Sequence, residues 1–78
     1  MIKKKLRLVV TFRNTALALA MESKCKEKGM EGRMIPVPSS ISAGCGLSWC
    51  APVEMEEEYR AFIEQENLEV EGIHQCML

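Results

Sequence analysis

The sequence predicts an α+β domain of ferredoxin-like, β-α-β-β-α-β topology: a four-stranded antiparallel sheet with two helices on one face. Three observations lead there. Residues 5–12 alternate in the manner of a half-buried strand, two later stretches carry helical periodicity with matching caps, and two prolines spaced two apart mark a strand that must lie at a sheet edge.

In the first strand Leu6, Leu8, Val10 and Phe12 share one parity, with Arg7 and Thr11 on the other. Val9 adds an apolar residue to the second face, which suits a central position. Asn14 and Thr15 then supply cap chemistry for a helix running to about Lys28, since a side-chain oxygen there can accept a bond from a free helix N–H. Leu17, Met21 and Cys25 recur at i, i+4 and i+8, and Ala18 and Ala20 permit close packing on a sheet. Lys24, Lys26 and Lys28 suit the negative end of the helix dipole, and Gly29 is the expected left-handed stop.

A second strand follows from Arg33 to Val37, then Pro38. The missing N–H groups of Pro36 and Pro38 face the same side, which an edge strand tolerates and a central one does not. Small residues connect Ser39 to Gly46, and Leu47 to Cys50 reads as the third strand, with Leu47 and Trp49 on its core side. Pro52 is expected to open the second helix, where an absent N–H costs nothing. Met55, Tyr59, Phe62 and Ile63 form its apolar stripe, Glu54 and the run Glu56–Glu58 enrich its first turns, and Asn67 can end it. Val70 to Cys76 makes the last strand, with Gly72 marking a bend or bulge. The first and third strands are then central, the second and fourth edges.

All 78 residues belong to one domain, 1–78, with no room for a second core. A core of this size supplies only about 3–5 kcal/mol, so a homodimer or a bound partner is a natural addition. The composition, 47% hydrophobic and 27% charged, is that of a globular chain. Charge is uneven: most Lys and Arg lie before residue 51, most Glu after it, and Asp is absent. The cluster Lys3, Lys4, Lys5 and Arg7 has no interleaved aromatics to stack bases, and the domain is not basic overall. Nucleic-acid binding is therefore not expected, and a solvated strand start is preferred. The apolar stretch after the lysines is broken by Arg7 and closed by Arg13, unlike a signal peptide, and no run approaches the ~18 residues of a membrane span. A cytoplasmic protein without membrane contact is expected.

Chemistry, if the chain carries any, points to Cys45 in Ser42-Ala43-Gly44-Cys45-Gly46. Gly44 and Gly46 leave the thiol uncrowded, open backbone conformations closed to other residues, and offer N–H groups that can form a shallow anion nest favouring a thiolate. Against this stands a plainer reading, a tight turn in which a small cysteine fits a half-buried position. Cys25 belongs to the buried helix stripe, and Cys76 ends the last strand. Cys50 would be the resolving partner of Cys45, but five extended residues separate them by roughly 16 Å, against about 4.4–6.8 Å for a disulfide. The four cysteines contain no C-x2-C pair, so no metal site is expected. His74, the one histidine, reads as solvated on an edge strand. The Glu56–Glu58 run reads as a solvated helix face, which could also dock a basic partner. Nothing resembles a phosphate loop, a carboxylate acid/base pair or a hydrolytic triad, and no cofactor is expected.

The stretch Met34-Ile35-Pro36-Val37-Pro38 followed by Ile41-Ser42-Ala43-Gly44-Cys45-Gly46-Leu47 resembles the selenium/sulfur carrier protein-like family of small bacterial proteins. Val10-Thr11-Phe12 with Asn14-Thr15 is similar to that family's N-terminus, and Glu69-Val70-Glu71-Gly72-Ile73 to its last strand. The resemblance spans nearly the whole chain, and the Pro-x-Pro followed by Cys-Gly is its most specific part. Arg13 and Asn14 stand where a more turn-like pair is common, and Cys50 where an ordinary strand residue is expected. The resemblance implies a carrier: a cysteine desulfurase or a selenium-metabolism protein loads Cys45 as a persulfide or selenopersulfide, and Cys45 passes the atom to an acceptor it does not identify. Such a protein is a non-catalytic relay rather than an enzyme. The alternative is a small interaction or regulatory module, with the sheet edge or acidic helix as its surface and Cys45 as a turn residue. A redox enzyme pairing Cys45 with Cys50 is disfavoured by their separation.

Overall fold

The computed structural model describes residues 5–41 and 44–78. Lys3 and Lys4 of the basic cluster, and Ser42 and Ala43 of the cysteine segment, lie outside the described residues. In chain order the elements are β1 (Leu6–Thr11), α1 (Thr15–Lys28), β2 (Arg33–Pro36), β3 (Leu47–Pro52), a 3-10 turn (Val53–Met55), α2 (Glu56–Gln65) and β4 (Gly72–Met77). The sheet order is β2-β3-β1-β4 with every neighbouring pair antiparallel. This is the ferredoxin-like α+β arrangement, with β1 and β3 central and β2 and β4 at the edges.

One core cluster joins the two layers. Leu8, Val10, Phe12, Trp49 and Ala51 from the central strands meet Ala18, Met21 and Cys25 of α1 and Tyr59, Phe62 and Ile63 of α2. Both helices therefore pack on the same sheet face. Burying each of the larger of these side chains contributes roughly 1.5–3 kcal/mol relative to exposure. The opposite parity, Arg7, Val9, Thr11, Ser48, Cys50, His74 and Cys76, makes the other face.

Helix α1 starts and stops for the reasons its sequence suggests. The Asn14 side chain accepts from the Leu17 N–H at 3.0 Å, and Gly29 takes the left-handed conformation at φ 70°. Ala18, Met21 and Cys25 are buried, while Leu17 is half-buried. The edge position of β2 also holds. The Val37 N–H donates to the Gly46 carbonyl at 3.0 Å, extending the β2–β3 ladder, so by alternation Pro36 and Pro38 turn their missing donors outward.

Three boundaries differ from expectation. Pro52 does not open α2; it ends β3, paired with Arg7, in extended conformation (φ −61°, ψ 136°). Partner strand β2 begins at Arg33, opposite Cys50, so the side of β3 to which Pro52 offers no N–H is already vacated. Helix α2 begins only at Glu56, after the 3-10 turn, and ends as Asn67 adopts φ 54°. Strand β4 begins at Gly72 rather than Val70, just after a bend at Glu71. The β1–β4 register is continuous from Leu6↔Met77 to Thr11↔Gly72, so the glycine marks a bend and not a bulge. A Cβ at Gly72 would lie 2.8 Å from His74 Nε2, so the glycine makes room for the imidazole.

The helix-side core also holds a polar chain. Trp49 Nε1 donates to the Tyr59 hydroxyl at 3.0 Å, and that hydroxyl donates to the Glu31 carbonyl. Gly32 is required beside it, because a Cβ would overlap the indole Nε1 and sit 2.8 Å from its Cε2. Every buried side-chain polar atom among the described residues has a partner.

Candidate functional site

Cys45 sits where three chain segments meet at one end of the sheet. Its own loop enters β3, the β1–α1 turn passes behind it, and the segment before β4 flanks it. Gly44 is pressed against the β1–α1 turn: a Cβ there would lie 2.6 Å from the Arg13 carbonyl oxygen and 3.1 Å from its Cα. The Gly44 N–H donates to Glu71 Oε1 at 3.1 Å, and the Glu71 N–H donates to the Thr11 carbonyl at 2.7 Å. The Arg13 guanidinium forms an exposed ion pair with the Glu69 carboxylate. On the other side, the Val37–Gly46 bond ties the loop to β2.

The thiol is half-buried. Cys45 packs against the helix-side core, and its Sγ donates to the Leu47 carbonyl at 3.2 Å. The sulfur is thus held at the mouth of the core rather than presented on an open turn.

The two glycines act differently from expectation. Neither uses the left-handed region; the described glycines with positive φ are Gly29 and Gly32. Gly44 is small because Arg13 occupies the space beside it. Gly46 has nothing within 4 Å of where a Cβ would be, so the space around it is open. Nor is the Gly44 N–H free to build an anion nest, since the Glu71 carboxylate already takes it.

The remaining thiols lie elsewhere. Cys50 pairs in register with Val9 on the face opposite the helices, and Cys45 packs on the helix side, so the sheet separates them. Cys76 pairs with Arg7 on that same opposite face, towards the far end of β4. Cys25 is fully buried, and burial pushes its thiol up to about 11, offset in part by a hydrogen bond with Tyr59. All four are free. His74 is half-buried rather than fully solvated, with Nε2 3.4 Å from Thr11 Oγ1 on the opposite face from the Cys45 packing. Glu56, first of the acidic run, is held below the usual carboxylate range by bonds from Gln75 and Arg60.

Sequence reasoning missed the residues that frame the thiol. Arg13, Glu69 and Glu71 are far from Cys45 in the chain and share no motif with it; sheet closure alone brings them together. Among the described residues, no group of three or more His, Cys or acidic side chains could hold a metal ion, and no helix is long and apolar enough to cross a membrane.

A family model described as "Putative Se/S carrier protein-like" matches residues 7–75, a span that includes Cys45 and all three segments around it. No curated protein and no solved structure matches the chain.

Proposed function

Because the chain belongs to the Se/S carrier protein-like family, we propose that it relays a sulfur or selenium atom on Cys45. The observation that supports this most is the position of the thiol: half-buried, backed by core and framed by Gly44. A persulfide there would keep its inner sulfur against the core and offer its outer sulfur to a second protein. The partners in this reading are a desulfurase-type donor and an acceptor that takes the atom onward.

The transfer is a thiol exchange. The Cys45 sulfur, as thiolate, attacks the outer sulfur of a donor persulfide; the new S–S bond forms as the donor's own S–S bond breaks. The donor leaves as a thiolate, reduced from persulfide, and Cys45 is oxidised from thiol to persulfide. The S–H···O bond to Leu47 must open before this attack. The chain contributes placement and a nucleophile, with the donor supplying the oxidised sulfur.

Incubation with a cysteine desulfurase and cysteine, followed by intact mass and peptide mapping, tests the relay. A gain of ~32 Da, one sulfur atom, mapped to Cys45 is expected. Cys45→Ser should abolish it while leaving the fold intact. Absence of loading, or loading mapped to Cys76 instead, overturns the reading. If Cys45→Ser leaves cellular function untouched, the chain is an interaction module.

A further inference from the structure

A cleft of about 330 Å³ opens at the other end of β3, lined by Arg7, Glu31, Gly32, Arg33, Cys50, Ala51 and Pro52. Its origin is the unequal length of two strands. Strand β2 starts at Arg33, opposite Cys50, whereas β3 runs on to Pro52, opposite Arg7 on β1. Beyond Arg33 the end of β3 has a neighbour on one side only, and the backbone at Glu31 and Gly32 closes the notch. Five residues of extended β3 put this notch roughly 17 Å from the Cys45 loop, so it is a separate feature.

Two cations, Arg7 and Arg33, line the notch. Arg7 and Arg33 project from the face opposite the helices, on strands either side of β3. Strand spacing and rise place their Cα atoms roughly 12 Å apart, so two extended guanidinium arms can meet over Cys50. Among the described residues neither makes an ion pair or a side-chain hydrogen bond, whereas Arg13 and Arg60 do. Cys50, only 6% exposed, forms a floor between them. The one opposing charge in the lining is the exposed Glu31 carboxylate at the rim.

We propose that this cleft binds a small molecule with a doubly charged oxyanion head, gripped by Arg7 and Arg33. Guanidinium forks match oxyanion geometry and give charge-assisted hydrogen bonds. The volume lies at the small end of ligand pockets, larger than a bare oxyanion needs. Among the described residues no carboxylate is paired to either arginine, so only the unpaired Glu31 carboxylate opposes the attraction.

The test is titration of the intact protein with inorganic phosphate and with glycerol phosphate, followed by amide NMR. Saturable shifts at Gly32, Arg33, Cys50 and Ala51, with none at Gly44–Leu47, are expected. Arg33→Gln and Arg7→Gln should each weaken binding roughly tenfold. Glu31→Gln should tighten it several-fold; Tyr59 is bonded to the backbone carbonyl of Glu31 rather than its carboxylate, so this variant keeps the fold even if Arg7→Gln does not. Tighter binding of the ester assigns an organic ligand, and equal binding a free oxyanion; both support the site. Shifts that do not saturate, that spread over Lys24, Lys26 and Lys28, or that are unchanged in Arg33→Gln and Glu31→Gln overturn it.

Discussion

Gly44 and Arg13 touch through their backbones: a Cβ on Gly44 would stand 2.6 Å from the Arg13 carbonyl oxygen. This contact locks the cysteine loop to the turn between β1 and α1. It makes the position of Cys45 depend on a residue thirty-two places earlier in the chain.

Gly44→Ala should therefore destabilise the fold by about 1–3 kcal/mol, because the obstacle is backbone and cannot swing aside. Gly46→Ala should leave stability unchanged or raise it by up to about 1 kcal/mol, since its φ is not positive and its surroundings are open. Urea unfolding of the two variants separates them. Equal effects would mean that the loop relaxes away from Arg13.

Tyr59→Phe should cost about 1–3 kcal/mol, because it strips the indole N–H of Trp49 of its acceptor and the Glu31 carbonyl of its donor. The single tryptophan reports the loss directly. A shift in native-state emission with reduced unfolding midpoint is expected, and an unchanged midpoint would count against a structural role for the chain of bonds.

Stability should fall on the alkaline side. Cys25 is raised from 9.0 to about 11 and Tyr59 from 10.0 to about 12, both chiefly by burial. Below pH 9 both groups are protonated in folded and unfolded chains and contribute no slope. Between pH 9 and 11 the unfolded chain releases the Cys25 proton while the native one keeps it, so unfolding becomes easier as pH rises. The loss from Cys25 reaches on the order of 2–3 kcal/mol by pH 11, with Tyr59 adding to it from pH 10. Denaturant midpoints measured from pH 7 to 11 should decline for the wild type, and less steeply for Cys25→Ala relative to its own value at pH 7.

Glu56 links α2 to β4, accepting from Gln75 Nε2 at 2.6 Å and Arg60 Nε at 3.0 Å. Gln75→Leu should move the Glu56 titration upward, with Arg60 retaining part of the depression. Because the folded value is lowered, the contribution is present above the unfolded value and disappears as pH falls through the folded one. Carboxyl-carbon NMR titration reads the shift; no movement would assign the depression to Arg60.

Much of the fold was legible because its signals are local. Alternation in Leu6–Phe12, the Asn14 cap, the Gly29 stop and the outward-turned, donorless nitrogens of Pro36 and Pro38 each depend on a few neighbouring residues. Pro52 misled because a proline that can open a helix can equally end a strand, and the choice rests on where β2 begins. Gly72 was legible as a bend but not as a packing requirement, because its need for space comes from His74 and Thr11, one of them on another strand.

The sequence by itself determined the element order, the edge role of β2, the burial of Cys25 and the choice of Cys45 as the candidate thiol. These follow from periodicity, backbone chemistry and strand reach. Tertiary structure alone decided that Gly44 is packed against Arg13 and bonded to Glu71, that the Cys45 sulfur rests on Leu47, and that Arg7 and Arg33 flank a shared notch. Such relationships depend on sheet register, which brings together residues with no spacing rule between them.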